Sequence, residues 1–134
     1  MKKTILMPNF VKREGLVTVV TQEINTGEIL MLAYTDEKGY LETLAIGEAV
    51  YFSTSRQKRW KKGEESGNVQ KVRRVLVDCD GDAVIFQVNQ EGQGACHTGR
   101  RSCFHRSVLL RQTFKDEEGN FKMRLVEVSS SIHS

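Results

Sequence analysis

The chain has 134 residues, a formal net charge of +3, 39% hydrophobic residues and 28% charged residues. This is typical of one small globular domain. The longest apolar run, ILMLAY at 29–34, is too short to span a membrane, and so mild a charge does not by itself indicate a nucleic-acid partner. The start, MKKTILMPNF, is similar to a signal peptide, but its apolar stretch is short and no small-residue cleavage site follows. We therefore expect a cytoplasmic protein.

The first part of the chain predicts a β-hairpin followed by a helix. Two β-rich runs flank the turn NTG at 25–27, which is a hairpin signal. Thr35 or Asp36 can then cap a helix that ends before Gly47. The residues predicted to form the buried stripe of this helix are Tyr40, Leu41, Leu44 and Ala45.

The remainder of the chain predicts further strands around one long polar segment. The strands are predicted at 49–53, 71–78 and 83–89, with a terminal hairpin of 107–114 and 121–128 before a disordered end. The polar segment covers 54–70, and a loop of this length in a compact domain is often functional. One helix among hairpin-linked strands indicates a single α+β domain over residues 1–134, with a mostly antiparallel sheet.

The three cysteines are expected to be thiols or metal ligands, because an odd number cannot all pair within one chain. Cys79, Cys96 and Cys103 are spaced C-x16-C-x6-C, without the C-x2-C of zinc ribbons and fingers. Three thiolates would leave the open fourth position of a catalytic zinc site, unless His97 or His105 closes it. Small, buried and inert cysteines are the ordinary alternative, and the spacing does not decide between them.

A zinc ion on these thiolates would provide hydrolytic chemistry, because zinc lowers the pKa of a bound water to about 7. A proton acceptor is also needed. His97 is the candidate, since imidazole titrates near neutrality, although a surface histidine is the simpler interpretation. Arg100 and Arg101 lie in the same segment and could offset the negative charge of the thiolates.

The segment DCDGD carries carboxylates at alternate positions. In an extended chain Asp78, Asp80 and Asp82 share one face, and Cys79 lies on the other. Three converging carboxylates attract a hard cation such as Mg²⁺, and an acidic turn between strands fits the pattern equally well. The EF-hand pattern is excluded because its sixth position, a glycine in that motif, is Ala83.

The basic residues are concentrated in the runs 56–62, 71–74 and 99–101, which hold about half of the 20 Lys and Arg residues. A solvated surface is the ordinary interpretation of such runs, and attraction of phosphate is the functional one. The glycines of KKGEESGN at 61–68 would let backbone N–H groups approach an anion. The segment lacks the Walker A spacing, so the phosphate signal is weak.

Together the motifs TGEILMLAY, YFSTSR, WKKGEESGNVQ, DCDGDA and ACHTGRRSCF resemble those of phosphoribosyl-AMP cyclohydrolases over about residues 15–107. DCDxD followed by CHTGxxSCF is the most specific part. Thr54, Arg59 and Glu65 stand where the family often has Arg, Leu and Thr, which affects the polar loop and not the metal residues. The family's frequent C-terminal pyrophosphohydrolase domain has no counterpart after residue 128, so we expect the single-function form.

The resemblance implies the third enzyme of histidine biosynthesis, which opens the adenine ring of phosphoribosyl-AMP by hydrolysis of the N1–C6 bond. It implies a zinc site of Cys79, Cys96 and Cys103, and a magnesium site of Asp78, Asp80 and Asp82. It also implies a homodimer that shares each zinc, with Cys79 from the other subunit, and it makes His97 the acid–base candidate. Candidate contacts for the two substrate phosphates are Arg56, Lys62, Ser66, Arg100 and Arg101.

Two other functions compete with this interpretation. A zinc deaminase of the cytidine type would carry H-x-E and C-x-x-C, and the sequence has neither. A zinc-stabilised nucleic-acid-binding module would need aromatic residues among its basic runs, where only Trp60 and Phe104 occur. We therefore expect a small nucleotide substrate, with no nucleic-acid partner and no membrane association.

Overall fold

The computed structural model describes residues 6–124, and the chain divides into two compact units, Met1–Phe104 and His105–Ser134. The described part of the first unit contains β1 Leu16–Glu23, β2 Ile29–Asp36, α1 Glu37–Ile46, β3 Val50–Ser53, β4 Lys58–Lys61, β5 Gln70–Val77 and β6 Ala83–Gln90. The described part of the second unit contains β7 Thr113–Lys115 and β8 Phe121–Met123.

The first unit is built on a four-stranded sheet with the order β2-β1-β6-β5. β1 pairs antiparallel with β2, β5 pairs antiparallel with β6, and β1 and β6 form the parallel pair. β3 and β4 form a separate antiparallel hairpin. The α+β class with one helix and mostly antiparallel pairing is therefore confirmed for residues 6–124. No helix in this part of the chain is long and apolar enough to cross a bilayer.

The core lies on one face of the sheet, because side chains alternate across a strand. Every second residue of β1 is buried, starting at Val17, and β6 buries Val84, Phe86 and Val88 in the same way. Tyr51 of β3 packs on Phe86, with ring centroids 6.0 Å apart. Each such apolar side chain contributes about 1.5–3 kcal/mol on burial, so these two strands fix the frame that carries the loops.

The helix caps agree with the sequence. Asp36 is the N-cap, and its Oδ1 accepts a hydrogen bond from Gly39 N at 2.8 Å. Thr35 is not available for this role, because its hydroxyl donates to Val50 O at 3.0 Å. Gly47 ends the helix in the left-handed region, and its N–H donates to Thr43 O at 2.9 Å.

The predicted buried stripe of α1 is wrong except for Tyr40. Leu41, Leu44 and Ala45 are exposed, and the inward residues are Gly39, Tyr40 and Thr43. The Thr43 hydroxyl accepts from Val50 N at 3.0 Å, so a polar contact with β3 fixes the inward face. Gly39 is close-packed, because a Cβ there would lie 2.6 Å from the Thr35 hydroxyl.

The polar segment 54–70 is not a structureless loop as predicted, because Lys58–Lys61 forms β4 and pairs with β3. The sequence did not predict this strand, because the residues around Trp60 are charged. Trp60 packs on Tyr51, with ring centroids 5.2 Å apart. Arg59, one of the three residues that depart from the family pattern, forms an ion pair with Asp36 at 2.8 Å. The strands predicted at 49–53, 71–78 and 83–89 are confirmed to within a residue.

The terminal hairpin is confirmed, but it is shorter than predicted. β7 and β8 pair antiparallel over three residues each. Asp116 closes the connection, because its Oδ1 accepts from the N–H groups of Glu118 and Asn120 at 3.0 and 2.9 Å. The predicted strand residues 125–128 and the predicted disordered end lie outside the described residues. That the whole chain forms one domain stays a prediction.

Candidate functional site

The first component of the candidate site is the segment 94–103, here called the cysteine loop. It folds back on itself, since Ala95 N donates to Arg101 O at 2.9 Å and Cys96 N donates to Arg100 O at 3.1 Å. Gly94 has φ 135°, and a Cβ there would lie 2.4 Å from Arg101 Cα. The narrow turn needs this glycine, and it brings the two ends of the loop together.

The cysteine loop is anchored on β2 and on the β1–β2 turn. Cys103 N donates to Leu30 O at 2.7 Å, and the Ser102 hydroxyl donates to Ile29 O at 2.7 Å. The Arg101 guanidinium pairs with Glu28 at 2.7 Å and with the buried Glu23 at 3.3 Å. The loop is therefore positioned by backbone and charged contacts to elements about seventy residues earlier in the chain.

The two thiols of this loop are close enough for each to shift the pKa of the other. The Thr98 hydroxyl lies 2.9 Å from Cys96 Sγ. Hydrogen bonds from the Thr98 side chain and backbone hold the pKa of Cys96 below its usual value. Burial raises the pKa of Cys103, and the nearby charge of Cys96 raises it further. Cys96 therefore ionises before Cys103.

Lys62, which lies directly after β4, supplies a cation beside the thiol pair. Its Nζ donates to Ala95 O at 2.6 Å and lies 5.8 Å from the Trp60 ring centroid. Burial lowers the pKa of Lys62, while negative charge on Cys103 and Cys96 raises it. The residue predicted to contact phosphate is thus engaged with the cysteine loop in this structure.

Cys79 lies apart from the other two cysteines, in the turn after β5. It is exposed, and its thiol donates to Asp80 Oδ1 at 3.2 Å. Within residues 6–124 no group of three or more His, Cys, Asp and Glu residues could hold a metal ion. One copy of the chain therefore brings together Cys96 and Cys103, a sulfur pair whose chemistry suits zinc, while Cys79 is exposed elsewhere on its surface.

Residues 78–82, here called the acidic turn, form a turn between strands, which is the second of the two interpretations that the sequence left open, and not an extended segment. Asp78 Oδ1 accepts from Asp82 N at 3.1 Å and from Ala83 N at 3.3 Å, which caps the turn. Asn9 N also donates to Gly81 O at 2.7 Å. The predicted separation of Cys79 from the aspartates on opposite faces is wrong, because a turn places its thiol against Asp80.

Two carboxylates of the acidic turn converge on one cationic group. Lys12 Nζ lies 3.3 Å from Asp80 Oδ2 and 3.3 Å from Asp82 Oδ2, and Arg13 Nη2 lies 3.1 Å from the same Asp82 oxygen. Hydrogen bonds from Cys79 and Lys12 hold the pKa of Asp80 below its usual value. Burial opposes the shift at Asp82, but bonds from Arg13 and Lys12 still lower its pKa. Carboxylate oxygens are the donors that a hard cation prefers, but in this arrangement the aspartates form no group of three that could hold a metal ion, and the Lys12 ammonium group lies between Asp80 and Asp82.

The other predicted site residues are exposed. His97 and Arg100 lie in the cysteine loop. Arg56 lines, with Ser53, Ser55, Lys58 and Trp60, a surface cavity of about 360 Å³. The Ser66 hydroxyl accepts from Asn68 N at 3.2 Å. A larger cavity of about 670 Å³ lies between Phe10 and Arg59, and none of the described residues that line it is a predicted site residue.

The sequence interpretation missed the residues that position the site. Thr98 could have been found, since it lies two residues from Cys96 in the same motif. Glu23, Glu28, Lys12 and Arg13 carried no local signal, because their contacts join residues between 68 and 78 positions apart. Such pairs become visible only when the sheet brings β1, β2 and the loops together.

Comparison with known proteins identifies a matching family. The family model described as phosphoribosyl-AMP cyclohydrolase matches residues 31–105. The chain is 59% identical over 95 residues to a phosphoribosyl-AMP cyclohydrolase of Methanothermobacter thermautotrophicus, covering 71% of this chain and 68% of the relative. It is 50% identical over 101 residues to one of Desulforapulum autotrophicum, covering 75% and 81%. It is 51% identical over 107 residues to the histidine biosynthesis bifunctional protein HisIE of Aquifex aeolicus, covering 80% and 48%.

Proposed function

The chain belongs to the phosphoribosyl-AMP cyclohydrolase family, and we propose that it opens the adenine ring of phosphoribosyl-AMP in a zinc-dependent step of histidine biosynthesis. Water adds at C6, the N1–C6 bond breaks, and the exocyclic nitrogen stays on the product as a carboxamide. The observation that carries the proposal is the closed cysteine loop, which holds Cys96 and Cys103 on one turn and is anchored to β2 through Cys103 N and Leu30 O.

The zinc ligands are Cys96 and Cys103 of one subunit and Cys79 of the other subunit in a homodimer. Zinc, when bound, activates a water molecule for attack on an electron-poor carbon. The exposed position of Cys79, away from the thiol pair of its own chain, supports sharing between two copies. Partly exposed apolar side chains on β2, Leu32 and Tyr34, offer apolar surface to a second copy.

The chain's own residues prepare the site in three ways. The hydrogen bonds from Thr98 favour the thiolate form of Cys96, which is the form that binds metal. The Lys62 ammonium offsets the negative charge of the thiolates in a half-buried position. His97, next to Cys96 on the exposed side of the loop, accepts the proton of the attacking water and returns it to N1 as the bond to C6 breaks.

Different residues are proposed to bind magnesium and the substrate phosphates. Asp78, Asp80 and Asp82 are the magnesium ligands, supported by the convergence of Asp80 and Asp82 on one cationic group. Arg56, Ser66 and Arg100 are exposed and can reach phosphate. Lys62 and Arg101 are engaged with Ala95, Glu23 and Glu28, so we assign them to positioning the cysteine loop.

The test is a turnover assay with phosphoribosyl-AMP that measures ring opening, free ammonia and zinc per chain. We expect ring opening without ammonia, loss of turnover on chelation, and recovery with zinc. Cys103→Ser should lose both zinc and turnover, because a neutral hydroxyl replaces a thiolate ligand. Full turnover by a zinc-free protein would refute the zinc proposal, and stoichiometric ammonia would indicate a deaminase instead.

His97→Ala tests the acid–base role separately. We expect it to keep its zinc while turnover falls by about 10²–10⁴-fold, the usual contribution of a positioned acid–base group. His105→Ala is the matched control, since it removes an exposed imidazole outside the cysteine loop and should retain activity. Loss of zinc from His97→Ala at unchanged pH would make His97 a ligand or a structural residue.

A further inference from the structure

The acidic turn is held closed by a segment from the start of the chain. Asn9 Oδ1 accepts from Val11 N and Lys12 N, both at 3.2 Å, and Asn9 N donates to Gly81 O at 2.7 Å. Phe10 is buried, and its ring packs edge-on to Tyr40 at 5.9 Å. The backbone that carries Lys12 is therefore fixed against the core on one side and against the acidic turn on the other.

The Lys12 side chain reaches from this fixed backbone to two carboxylates at once. Its Nζ is equidistant, at 3.3 Å, from one oxygen of Asp80 and one of Asp82. Arg13 binds the same Asp82 oxygen through Nε at 3.2 Å and Nη2 at 3.1 Å. Lys12 is 38% exposed, so its ammonium group can leave for solvent, while Asp82, at 12% exposed, stays in place and Asp80, at 59%, is at the surface where an ion can reach it.

We propose that Lys12 is an internal competitor for the divalent cation: its ammonium group occupies the cation position between Asp80 and Asp82 and must be displaced before the ion binds. The inference rests on the magnesium ligands assigned above, but it concerns a residue outside that set. A divalent ion needs direct contact with carboxylate oxygens, at 2.0–2.1 Å for magnesium. An ammonium group between the same oxygens blocks that contact and repels the ion.

Competition has two consequences for the protein. Without metal, the ammonium group neutralises carboxylates that would otherwise repel each other, so the acidic turn keeps its shape. With metal, Lys12 is released, so its competition lowers the apparent affinity of the site for the cation. Removing one positive charge about 4 Å from a divalent ion in water should tighten cation binding roughly thirtyfold.

The experiment measures Mn²⁺ affinity by titrating the full-length, zinc-loaded protein and following free Mn²⁺ by electron paramagnetic resonance. Wild type is compared with Lys12→Met and Lys12→Gln, and the matched control is Lys38→Met, an exposed lysine of α1. We expect both Lys12 variants to bind Mn²⁺ roughly thirtyfold more tightly than wild type and Lys38→Met to match wild type. Asp80→Asn in the Lys12→Met background should abolish the binding.

A gain in affinity separates competition from a purely structural role, since disruption of the turn would weaken binding. Unchanged or weaker Mn²⁺ binding by both Lys12 variants overturns the inference and leaves the cation site standing. Absence of Asp80-dependent binding in every variant overturns the cation site together with the inference. Zinc content and ring opening, measured on the same samples, show separately whether the zinc-dependent reaction stands.

Discussion

Lys62 Nζ donates a hydrogen bond to the backbone carbonyl of Ala95 at 2.6 Å. This contact joins the end of β4 to the residue before Cys96, so the β3–β4 hairpin and the cysteine loop are positioned together. The lysine was expected from the sequence to contact phosphate. Its bond to Ala95 and its place beside the thiols indicate that it supports the cysteine loop, which carries two of the proposed zinc ligands.

Lys62→Met should weaken zinc retention. The substitution removes the bond to Ala95 and a positive charge that favours the Cys96 thiolate, and loss of such a supporting contact usually costs about 10–100-fold in metal affinity. Competition with a chelator measures the change. Lys58→Met, at an exposed lysine in β4, is the matched control. Unchanged zinc affinity together with a raised KM for phosphoribosyl-AMP would indicate instead that Lys62 contacts a substrate phosphate.

Arg101→Met and Arg100→Met should separate positioning from substrate contact. Arg101 pairs with Glu23 and Glu28, so its loss should lower zinc affinity by about 10–100-fold while KM stays near that of wild type. Arg100 is exposed, so its loss should raise KM with zinc retained. Steady-state kinetics at saturating zinc and a chelator titration distinguish the two. The reverse pattern would contradict the assignment.

Tyr51→Phe should destabilise the fold through a buried polar network. The Tyr51 hydroxyl lies 2.7 Å from Thr21 Oγ1 and donates to Gln70 Oε1, all in the buried core. Leaving these partners unsatisfied costs about 1–3 kcal/mol. Urea unfolding measures the loss, and Tyr34→Phe, at a partly exposed tyrosine, should change stability little. Equal effects of the two substitutions would show that the network is not stabilising.

The turn between β7 and β8 should loosen in acid. The N–H of Asn120 is the main cause that holds the pKa of Asp116 below its ordinary value of 3.8. A lowered carboxylate pKa contributes stability that is present above the unfolded value and is lost as pH falls through the folded one. The NMR chemical shifts of the backbone amides of Glu118 and Asn120 should change as the pH falls below 3.8. Asp116→Asn should remove this pH-dependent change. Retention of the transition in Asp116→Asn would contradict the assignment, and Glu117→Gln is the control.

The fold was predictable where the signals are local. The Asp36 and Gly47 caps, the NTG turn and the alternation of β1 and β6 act within a few residues, so the sequence carries them directly. The inward face of α1 was missed because it is chosen by the contact of Thr43 with β3, which apolar spacing does not encode. β4 was missed because most of its residues are charged, and its pairing with β3 and the contact of Trp60 with Tyr51 become visible only in the fold.

In the candidate site, too, the features with local sequence signals were predicted and those that depend on distant contacts were not. Only six residues separate Cys96 from Cys103, so the two were expected in one site, and the structure places both in the closed cysteine loop. The opposite-face arrangement of Cys79 failed because backbone bonds to Asp78 turn the segment. Lys12 was invisible to sequence reasoning, because its carboxylate partners lie about seventy residues later. The metal ligands and the role of His97 stay predictions.

The most direct test of a zinc site shared between two subunits is complementation between two inactive variants. Cys79→Ser lacks the ligand given to the other subunit, and Cys96→Ser lacks one of the pair, so each alone should be inactive. When they are co-refolded, each mixed dimer has one complete site. Since half of randomly paired dimers are mixed, turnover and zinc should return to about a quarter of wild type. No recovery, in samples shown to contain mixed dimers, would contradict the shared site.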